Sequence, residues 1–147
     1  MASMGRKIAA GLIAFSLFAG TGVALAQGDV IAQRKEGFKG NRANLGAIKK
    51  IVDDGADPAG ALEPAKAMVA YGQKIPSLFP QGSGVGDTAA KPEIWADWAG
   101  FEGAAKNFTD AAQKVADAAQ AKDAAALKTN FAALGGTCGA CHGKFRK

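Results

Sequence analysis

The sequence predicts an all-α fold, an antiparallel four-helix bundle with a longer crossover between helices two and three. Apolar residues recur every three to four positions in four long segments. Residues 76–91, between the second and third segments, hold two prolines, three glycines, two serines and an aspartate, as expected for a connection rich in turns. No segment alternates apolar and polar residues as a half-buried strand would, so an all-β or α/β fold has no support. Four amphipathic helices with mainly short connections bury their apolar faces against one another.

The N-terminal residues have the pattern of an export signal. Arg6 and Lys7 form a short positive region, residues 8–19 are an apolar run, and residues 24–26 read Ala-Leu-Ala, a cleavage site. We therefore predict a cleaved signal peptide over residues 1–26, a mature domain over residues 27–147 and a location in the periplasm. A membrane anchor is the alternative, but the run is shorter than the ~20 apolar residues that span a bilayer. No stable membrane insertion is expected.

The net charge argues against a nucleic-acid partner. The 147 residues include 18 basic and 13 acidic ones, and removal of Arg6 and Lys7 leaves 16 basic residues against the same 13. No stripe of lysine and arginine interleaved with aromatic residues occurs in the remaining chain. The small positive charge is compatible with weak steering of an acidic protein partner.

The first helix is predicted over residues 29–53. Asp29 is its expected N-cap, and Gly55 is the glycine expected just past its end. The apolar stripe of this helix has two polar interruptions, Arg34 and Asn41. Both side chains are therefore expected on the inner face of the bundle.

Asp57-Pro58 predicts the start of the second helix, because the aspartate can be the N-cap and the proline can occupy the first helical position. Pro64 then predicts either a short first turn with a restart or a kink, because proline removes a helix hydrogen bond. Residues 76–91 are rich in glycine, proline and serine and predict the long surface crossover.

The third helix is predicted from about Pro92 to Ala121, and the fourth begins near Asp123, a candidate N-cap. The stripe of the fourth helix consists of six residues: Leu127, Phe131, Leu134, Cys138, Cys141 and Phe145. The two cysteines thus lie on the face that points to the core. A group bound to them is expected to sit inside the bundle.

Residues 138–142 read Cys-Gly-Ala-Cys-His and contain both cysteines and the only histidine of the chain. The spacing C-x-x-C-H is that of covalent haem attachment, in which two thiols add to the vinyl groups and the imidazole binds the iron. On a helix, Cys138 and Cys141 share a face and His142 follows one step round, so all three can serve one planar cofactor. We predict one covalently bound haem c per chain, with His142 as the axial ligand of the iron.

Three other uses of this motif are weaker. A structural disulfide or a thioredoxin-like redox pair needs only the two cysteines, but a redox pair normally follows a strand at a helix N-terminus. No strand pattern precedes this pair. A zinc site requires four ligands, and the chain has only three cysteine and histidine side chains.

A C-x-x-C-H motif on the last helix of an exported four-helix chain resembles the cytochromes c′, the class II c-type cytochromes. The resemblance covers the mature chain through an arginine in the first helix, a glycine-rich crossover, the sequence Pro-Glu-Ile-Trp at residues 92–95 and an arginine four residues after the histidine. It implies that Arg34 lies near the haem, that Arg146 is the C-terminal arginine of the family, and that Phe38 lies above the iron on the distal side. Further candidates for contact with the haem are Lys35, Glu93 and Trp95.

The family also contains low-spin members, similar to cytochrome c-556, in which a first-helix methionine is the sixth iron ligand. Phe38 has no donor atom, and Met68 is the only methionine left after signal cleavage. A sixth ligand would have to be Met68, Asn41 or a lysine. We interpret Met68 as a core residue and Asn41 as a group hydrogen-bonded across the bundle. The expectation is a five-coordinate, high-spin haem, and the low-spin carrier is the alternative.

Two arginines have a physical role beside the haem. A buried guanidinium such as that of Arg34 needs an anionic partner, and the haem propionates are suitable anions. Arg146 lies one helical turn past His142, where it would tune the reduction potential from the proximal side or remain in solvent.

The expected function is electron transfer by a periplasmic haem protein that also binds NO or CO at its open distal face. An apolar distal pocket has no donor to stabilise bound dioxygen. We do not expect an enzyme such as a peroxidase, because the one histidine is already the proximal ligand. The resemblance also implies a homodimer and an unidentified redox partner protein.

Overall fold

The structure, a computed structural model, describes the backbone of residues 21–147 and the side chains from residue 29 onward. Its elements in chain order are α1 (Thr21–Asp54), a 3-10 helix (Pro58–Ala61), α2 (Leu62–Lys74), a second 3-10 helix (Pro76–Leu78), the one-turn helix α3 (Glu93–Ala96), α4 (Trp98–Gln120) and α5 (Ala124–Phe145). The long helices α1, α2, α4 and α5 form the predicted four-helix bundle. Within the described range, none of the helices is both long and apolar enough to cross a bilayer.

Helix α1 begins earlier than the sequence predicted. It starts at Thr21, so Asp29 lies inside the helix and is not its N-cap, and the predicted cleavage site falls within the first turns. Residues 23–27 are Val-Ala-Leu-Ala-Gln, which are compatible with a helix, and no proline interrupts them. The predicted apolar run at residues 8–19 lies outside the described residues.

The end of α1 confirms the predicted glycine signal. Gly55 has φ +60°, a left-handed conformation that glycine adopts without steric cost. The N–H of Ala56 donates to the carbonyl of Ile51 at 3.1 Å, the long hydrogen bond of a Schellman ending. The chain can therefore turn sharply into the next element.

The start of the second helix also confirms its sequence signal. The Asp57 carboxylate accepts a hydrogen bond from the N–H of Ala59 at 3.0 Å. A 3-10 turn follows and α2 restarts at Leu62, which places Pro64 in the first turn of α2. No N–H in a first turn has an intrahelical acceptor, so the proline is tolerated there without a kink.

The prediction of a single third helix from Pro92 to Ala121 is wrong, because the helix is interrupted at Asp97. That residue has φ −124° and ψ 64°, which separates α3 from α4. Its carboxylate accepts a hydrogen bond from the N–H of Gly100 at 3.1 Å and pairs with Lys144 of α5. The aspartate therefore acts as an N-cap in the middle of the predicted helix.

Helix α4 is the central element of the core. It packs extensively against α2 and α5, whereas α1 contacts α2 and touches α5 over a smaller area. The side chains buried most completely include Ile48, Met68, Ile94, Val115, Leu127 and Leu134. Because α1 and α5 touch so little, a cavity opens between them.

The connection between α4 and α5 allows a clean test of helix capping. The Asp123 carboxylate accepts a hydrogen bond from the N–H of Ala126 at 2.9 Å. Replacement of this cap in Asp123→Ala should lower the free energy of unfolding by about 1 kcal/mol. The matched control is Asp110→Ala, which removes only an exposed ion pair with Lys106 and should cost less than about 0.5 kcal/mol. Urea denaturation measures both, and equal losses would contradict the capping role.

Candidate haem site

A cavity of about 590 Å³ lies between α1 and α5. Its size is within the ~300–1,000 Å³ of small-molecule and cofactor sites. The crossover contributes Thr88, Ala89 and Ala90 to one wall. Most of the remaining wall is apolar and is formed by side chains such as Ile31, Met68, Phe79, Ile94, Phe101 and Phe108.

Helix α5 presents all three groups of the C-x-x-C-H motif to this cavity. Cys138, Cys141 and His142 line it, and the two cysteines are half-buried free thiols. Burial raises the pKa of both thiols. Redox-active cysteine pairs instead have a lowered thiol pKa, so the surroundings do not favour that alternative. Two thiols and an imidazole beside an apolar cavity are a donor set that suits covalent haem.

The imidazole of His142 is in the state required of a metal ligand. Partial burial lowers the pKa of His142, and the positive charge of Arg146 lowers it further. The ring is therefore neutral at pH 7, the form that coordinates a metal. The backbone N–H of Arg146 donates to the carbonyl of His142 at 3.1 Å, while the Arg146 side chain is exposed and lines the cavity.

Phe38 lies on the α1 side of the same cavity. The centroid of its ring is 6.4 Å from that of His142, and the two rings are inclined at 71°. The Phe38 ring also packs edge to face against the ring of Tyr71, with the centroids 5.3 Å apart. Phe38 is 38% exposed and so lies at the mouth of the cavity. The structure thus brings the predicted distal residue and the predicted axial ligand together.

Arg34 is 4% exposed and is held by the crossover. Its Nε donates to the carbonyl of Leu78 at 2.5 Å, Nη1 donates to the carbonyl of Ser83 at 2.9 Å, and Nη2 donates to the Ser83 hydroxyl. The guanidinium also lies 4.0 Å over the ring of Phe79. These hydrogen bonds use three of its five N–H groups and leave two for an anion. Desolvation lowers the pKa of Arg34, but the group stays charged at neutral pH.

The charged side chains around the cavity are all basic. Among the described residues that line it there is no carboxylate, and the five cations are Arg34, Lys35, Lys39, Arg42 and Arg146. Lys35 is ion-paired with Asp87 of the crossover. The resulting positive potential favours anionic groups such as propionates at this rim.

Two of the sequence candidates are not brought to the cavity. Glu93 and Trp95 do not line it. The indole of Trp95 instead donates hydrogen bonds to the carbonyls of Phe79 and Pro80 at 3.0 and 3.1 Å, which anchors the crossover. Met68 and Asn41 are 1% and 8% exposed, and both line the cavity as the inner stripes predicted. The hydrogen bond across the bundle that was predicted for Asn41 is not among the side-chain hydrogen bonds of the described residues, and its amide lines the cavity.

The comparison with known families settles the class of protein. A family model described as cytochrome C′ matches residues 29–146. This chain belongs to the cytochrome c′ family. The match includes both sides of the cavity, from α1 to the C-x-x-C-H motif of α5.

Curated relatives support the same assignment. A cytochrome c′ from Rhodopseudomonas palustris is 38% identical over 143 residues, which are 95% of this chain and 97% of the relative. A cytochrome c′ from Rhodospirillum rubrum is 41% identical over 97 residues, 65% of this chain and 66% of that protein.

Solved structures of cytochromes c′ have the same fold. The protein from Rubrivivax gelatinosus has a TM-score of 0.75 at 31% identity, with 82% of this chain and 97% of that chain covered. A nitric oxide complex of a mutant from Alcaligenes xylosoxidans has a TM-score of 0.75 at 28% identity, covering 82% and 95% of the two chains. A third structure, of a cytochrome c′ with ligand-controlled dimer dissociation, has a TM-score of 0.76 at 29% identity and covers 82% and 95%.

Cytochromes c′ carry haem c that is covalently bound, and the residues of this chain fit that cofactor. The single C-x-x-C-H motif provides for one haem per chain. Its thiols and imidazole line one apolar cavity, and five cations line the same cavity, of which Lys35 pairs with Asp87 and Lys39 with Glu36 outside it.

Sequence reasoning missed two residues, Tyr71 and Ser83, that contact residues of this cytochrome c′ site from outside the cavity. Ser83 is fully buried and accepts hydrogen bonds from Arg34, and the ring of Tyr71 packs edge to face against that of Phe38. A signal for Tyr71 was available in Gly37, because glycine inside a helix is costly and often marks a close approach. A side chain at residue 37 would overlap the Tyr71 ring. Ser83 gave no comparable signal among the other loop residues.

Tyr71 is the only tyrosine of the chain, so its ionisation can be measured directly. Burial raises the pKa of Tyr71 from 10.0 to about 12, although the charge of Arg34 opposes this shift. Between pH 10 and about 12 the unfolded state therefore loses a proton that the folded state keeps. Stability should fall with rising pH in this window, after being fully present below pH 10.

The measurement is the tyrosinate ultraviolet absorbance of the folded holoprotein during an alkaline titration. The expected midpoint is about 12, and Tyr71→Phe should abolish the transition. A midpoint at the ordinary value of 10.0 would contradict the burial of the phenol.

Proposed function

We propose that this cytochrome c′ is a periplasmic electron-transfer protein whose five-coordinate, high-spin haem leaves one axial position open to NO or CO. The observation that carries the proposal is the position of Phe38, whose ring centroid lies 6.4 Å from that of His142 in the same cavity. His142 offers the iron a neutral imidazole from α5. Phe38 offers no donor atom from α1.

Residues of α5 and residues of α1 have different roles toward the haem. Cys138 and Cys141 hold the cofactor covalently, and His142 binds its iron. When bound, the haem supplies the Fe(III)/Fe(II) couple and the coordination position for the diatomic ligand. The free N–H groups of Arg34 and the exposed guanidinium of Arg146 are placed to bind or balance propionate charge.

The apolar distal side supports a preference for NO and CO over O₂. Bound dioxygen gains stability from a hydrogen-bond donor on the distal side, and the Phe38 ring provides none. A mutant of the Alcaligenes xylosoxidans protein, which has this fold, has been solved as a nitric oxide complex, and this supports NO as a ligand.

The low-spin carrier is the second candidate, because Met68 lines the cavity and is 1% exposed. Its thioether would have to reach the iron on the face that Phe38 borders. Met68 also belongs to the buried core cluster between the helices, where a flexible apolar side chain fills space. We therefore favour the core role for Met68.

The basic rim supports an acidic redox partner. Lys39, Arg42 and Arg146 are exposed beside the cavity mouth, and Lys39 forms an ion pair with the exposed Glu36 at 3.5 Å. A partner surface that presents carboxylates would be steered to this rim. No dedicated catalytic residue is proposed, because the chain's single histidine is assigned to the proximal side.

A homodimer is part of the proposal and rests on the family. The relative with ligand-controlled dimer dissociation is an example of dimer formation in this fold. On the described parts of α1 and α2, Phe38 is the one large apolar side chain that is exposed. The exposed apolar surface that α1 and α2 offer to a second copy of the chain is therefore small.

Absorption spectra test the coordination of the iron. The ferric and ferrous holoprotein should show high-spin bands, and NO or CO should bind without displacing a protein ligand from the distal side. Met68→Leu keeps the volume of the side chain and removes its sulfur, so the spectra should not change. A low-spin ferric spectrum with a thioether charge-transfer band that Met68→Leu abolishes would contradict the five-coordinate site.

Export can be tested by the mass of the mature protein. The periplasmic fraction of an expressing bacterium should contain a chain that begins at Gln27 and carries one haem. Replacement of Ala24 and Ala26 by larger residues should block cleavage. Recovery of haem-loaded protein with an intact N-terminus in the cytoplasm of wild-type cells would contradict this proposal.

A further inference from the structure

The side chain of Phe38 is exposed, and the aromatic contacts of its ring are made by residues of other helices. It is 38% exposed, and its ring contacts are edge-to-face packing with His142 and with Tyr71. His142 is the predicted iron ligand, so its contact with Phe38 lies on the haem side of the ring. Tyr71 is the contact on α2, and it is not among the residues that line the cavity.

Tyr71 itself is held against α1 by two features. Its hydroxyl donates a hydrogen bond to the carbonyl of Arg34 at 3.2 Å. In an α-helix that carbonyl also accepts the N–H of Phe38, four residues later. The ring of Tyr71 lies so close to Gly37 that any Cβ at this position would overlap it. The helix turn that carries Phe38 is thus clamped to α2 through one side chain.

The burial of Tyr71 is consistent with this role. The phenol of Tyr71 is a hydrogen-bond donor throughout the physiological range, and burial raises its pKa to about 12. An edge-to-face aromatic pair and one hydrogen bond together restrict both the α1 turn and the Phe38 ring.

We propose that Tyr71 is a positioning residue that fixes the ring of Phe38 at the mouth of the haem cavity and thereby sets how fast a diatomic ligand reaches the open face. This inference rests on the proposed function for its ligand. Tyr71 does not touch the cavity and acts through Phe38. Removal of its ring leaves space outside the cavity into which Phe38 can turn, so ligand access becomes faster.

The first test is the rate of CO binding to the ferrous holoprotein after flash photolysis. Tyr71→Ala should raise the association rate about 2- to 10-fold, the range that corresponds to the loss of one aromatic pair. Phe38→Ala should raise it at least as much, and the double variant should show no further increase. Tyr71→Phe retains the ring and should restore most of the wild-type rate.

Two glycine substitutions on α1 provide a matched control. Gly37→Ala forces the Tyr71 ring to move, whereas a Cβ at Gly40 would have no neighbour within 4 Å. Gly37→Ala should change the CO rate in the same direction as Tyr71→Ala. Gly40→Ala should leave the rate within about twofold of wild type, since it alters only helix propensity.

A crystal structure of the Tyr71→Ala holoprotein gives a readout that does not depend on ligand binding. The Phe38 ring should leave its present position while the four long helices stay in place. An unchanged Phe38 ring, or additive rate effects of Tyr71→Ala and Phe38→Ala, would overturn the inference. If the wild-type protein fails to bind CO, the proposed function is wrong. The role of Tyr71 is then decided by the position of the Phe38 ring in the Tyr71→Ala crystal structure.

Discussion

The burial of the Arg34 guanidinium is the interaction on which the shape of the haem site depends. A charge that is 4% exposed is costly unless its donors are satisfied, and its partners here are the carbonyls of Leu78 and Ser83 and the Ser83 hydroxyl. Separation of the crossover from α1 would break these three hydrogen bonds and the contact of the guanidinium with the ring of Phe79. At its other end, the crossover is tied to the C-terminus by hydrogen bonds from Lys91 to Phe145 and from Lys147 to Ala89, at 3.0 and 2.9 Å. One loop thus joins the helix that bears Phe38 to the helix that bears the haem motif.

This arrangement gives each side of the cavity its own chemistry. Helix α5 contributes the thiols and a neutral imidazole, and helix α1 contributes an apolar ring flanked by cations. Helices α1 and α5 touch over a small area, and α1 also packs against α2, the first 3-10 helix and the crossover. The position of the distal ring therefore depends on residues outside the cavity, and Tyr71 is the clearest example.

The sequence predicted those features that local chemistry determines. The N-caps at Asp57 and Asp123, the glycine after α1 and the inward face of the two cysteines all follow from short-range rules, and each is confirmed. The break at Asp97 was missed because apolar periodicity continues across it, while the carboxylate caps the next helix.

The partners of Arg34 were also beyond the sequence. The buried position of Arg34 was predicted from the apolar stripe, but its acceptors lie 44 and 49 residues further along the chain. Nothing in the local pattern distinguished Ser83 from the other small residues of the crossover. For the same reason Glu93 and Trp95, which share a motif with the family, could not be placed outside the cavity before the fold was known.

In the proposed haem site, α5 binds the iron from one side and α1 leaves the other side open. A crystal structure of the ferric holoprotein is the direct test of this arrangement. We expect an iron bound by His142 and the four haem nitrogens, with the Phe38 ring over the opposite face and no protein ligand there. A bond from Met68, Asn41 or a lysine to the iron on that face would contradict it.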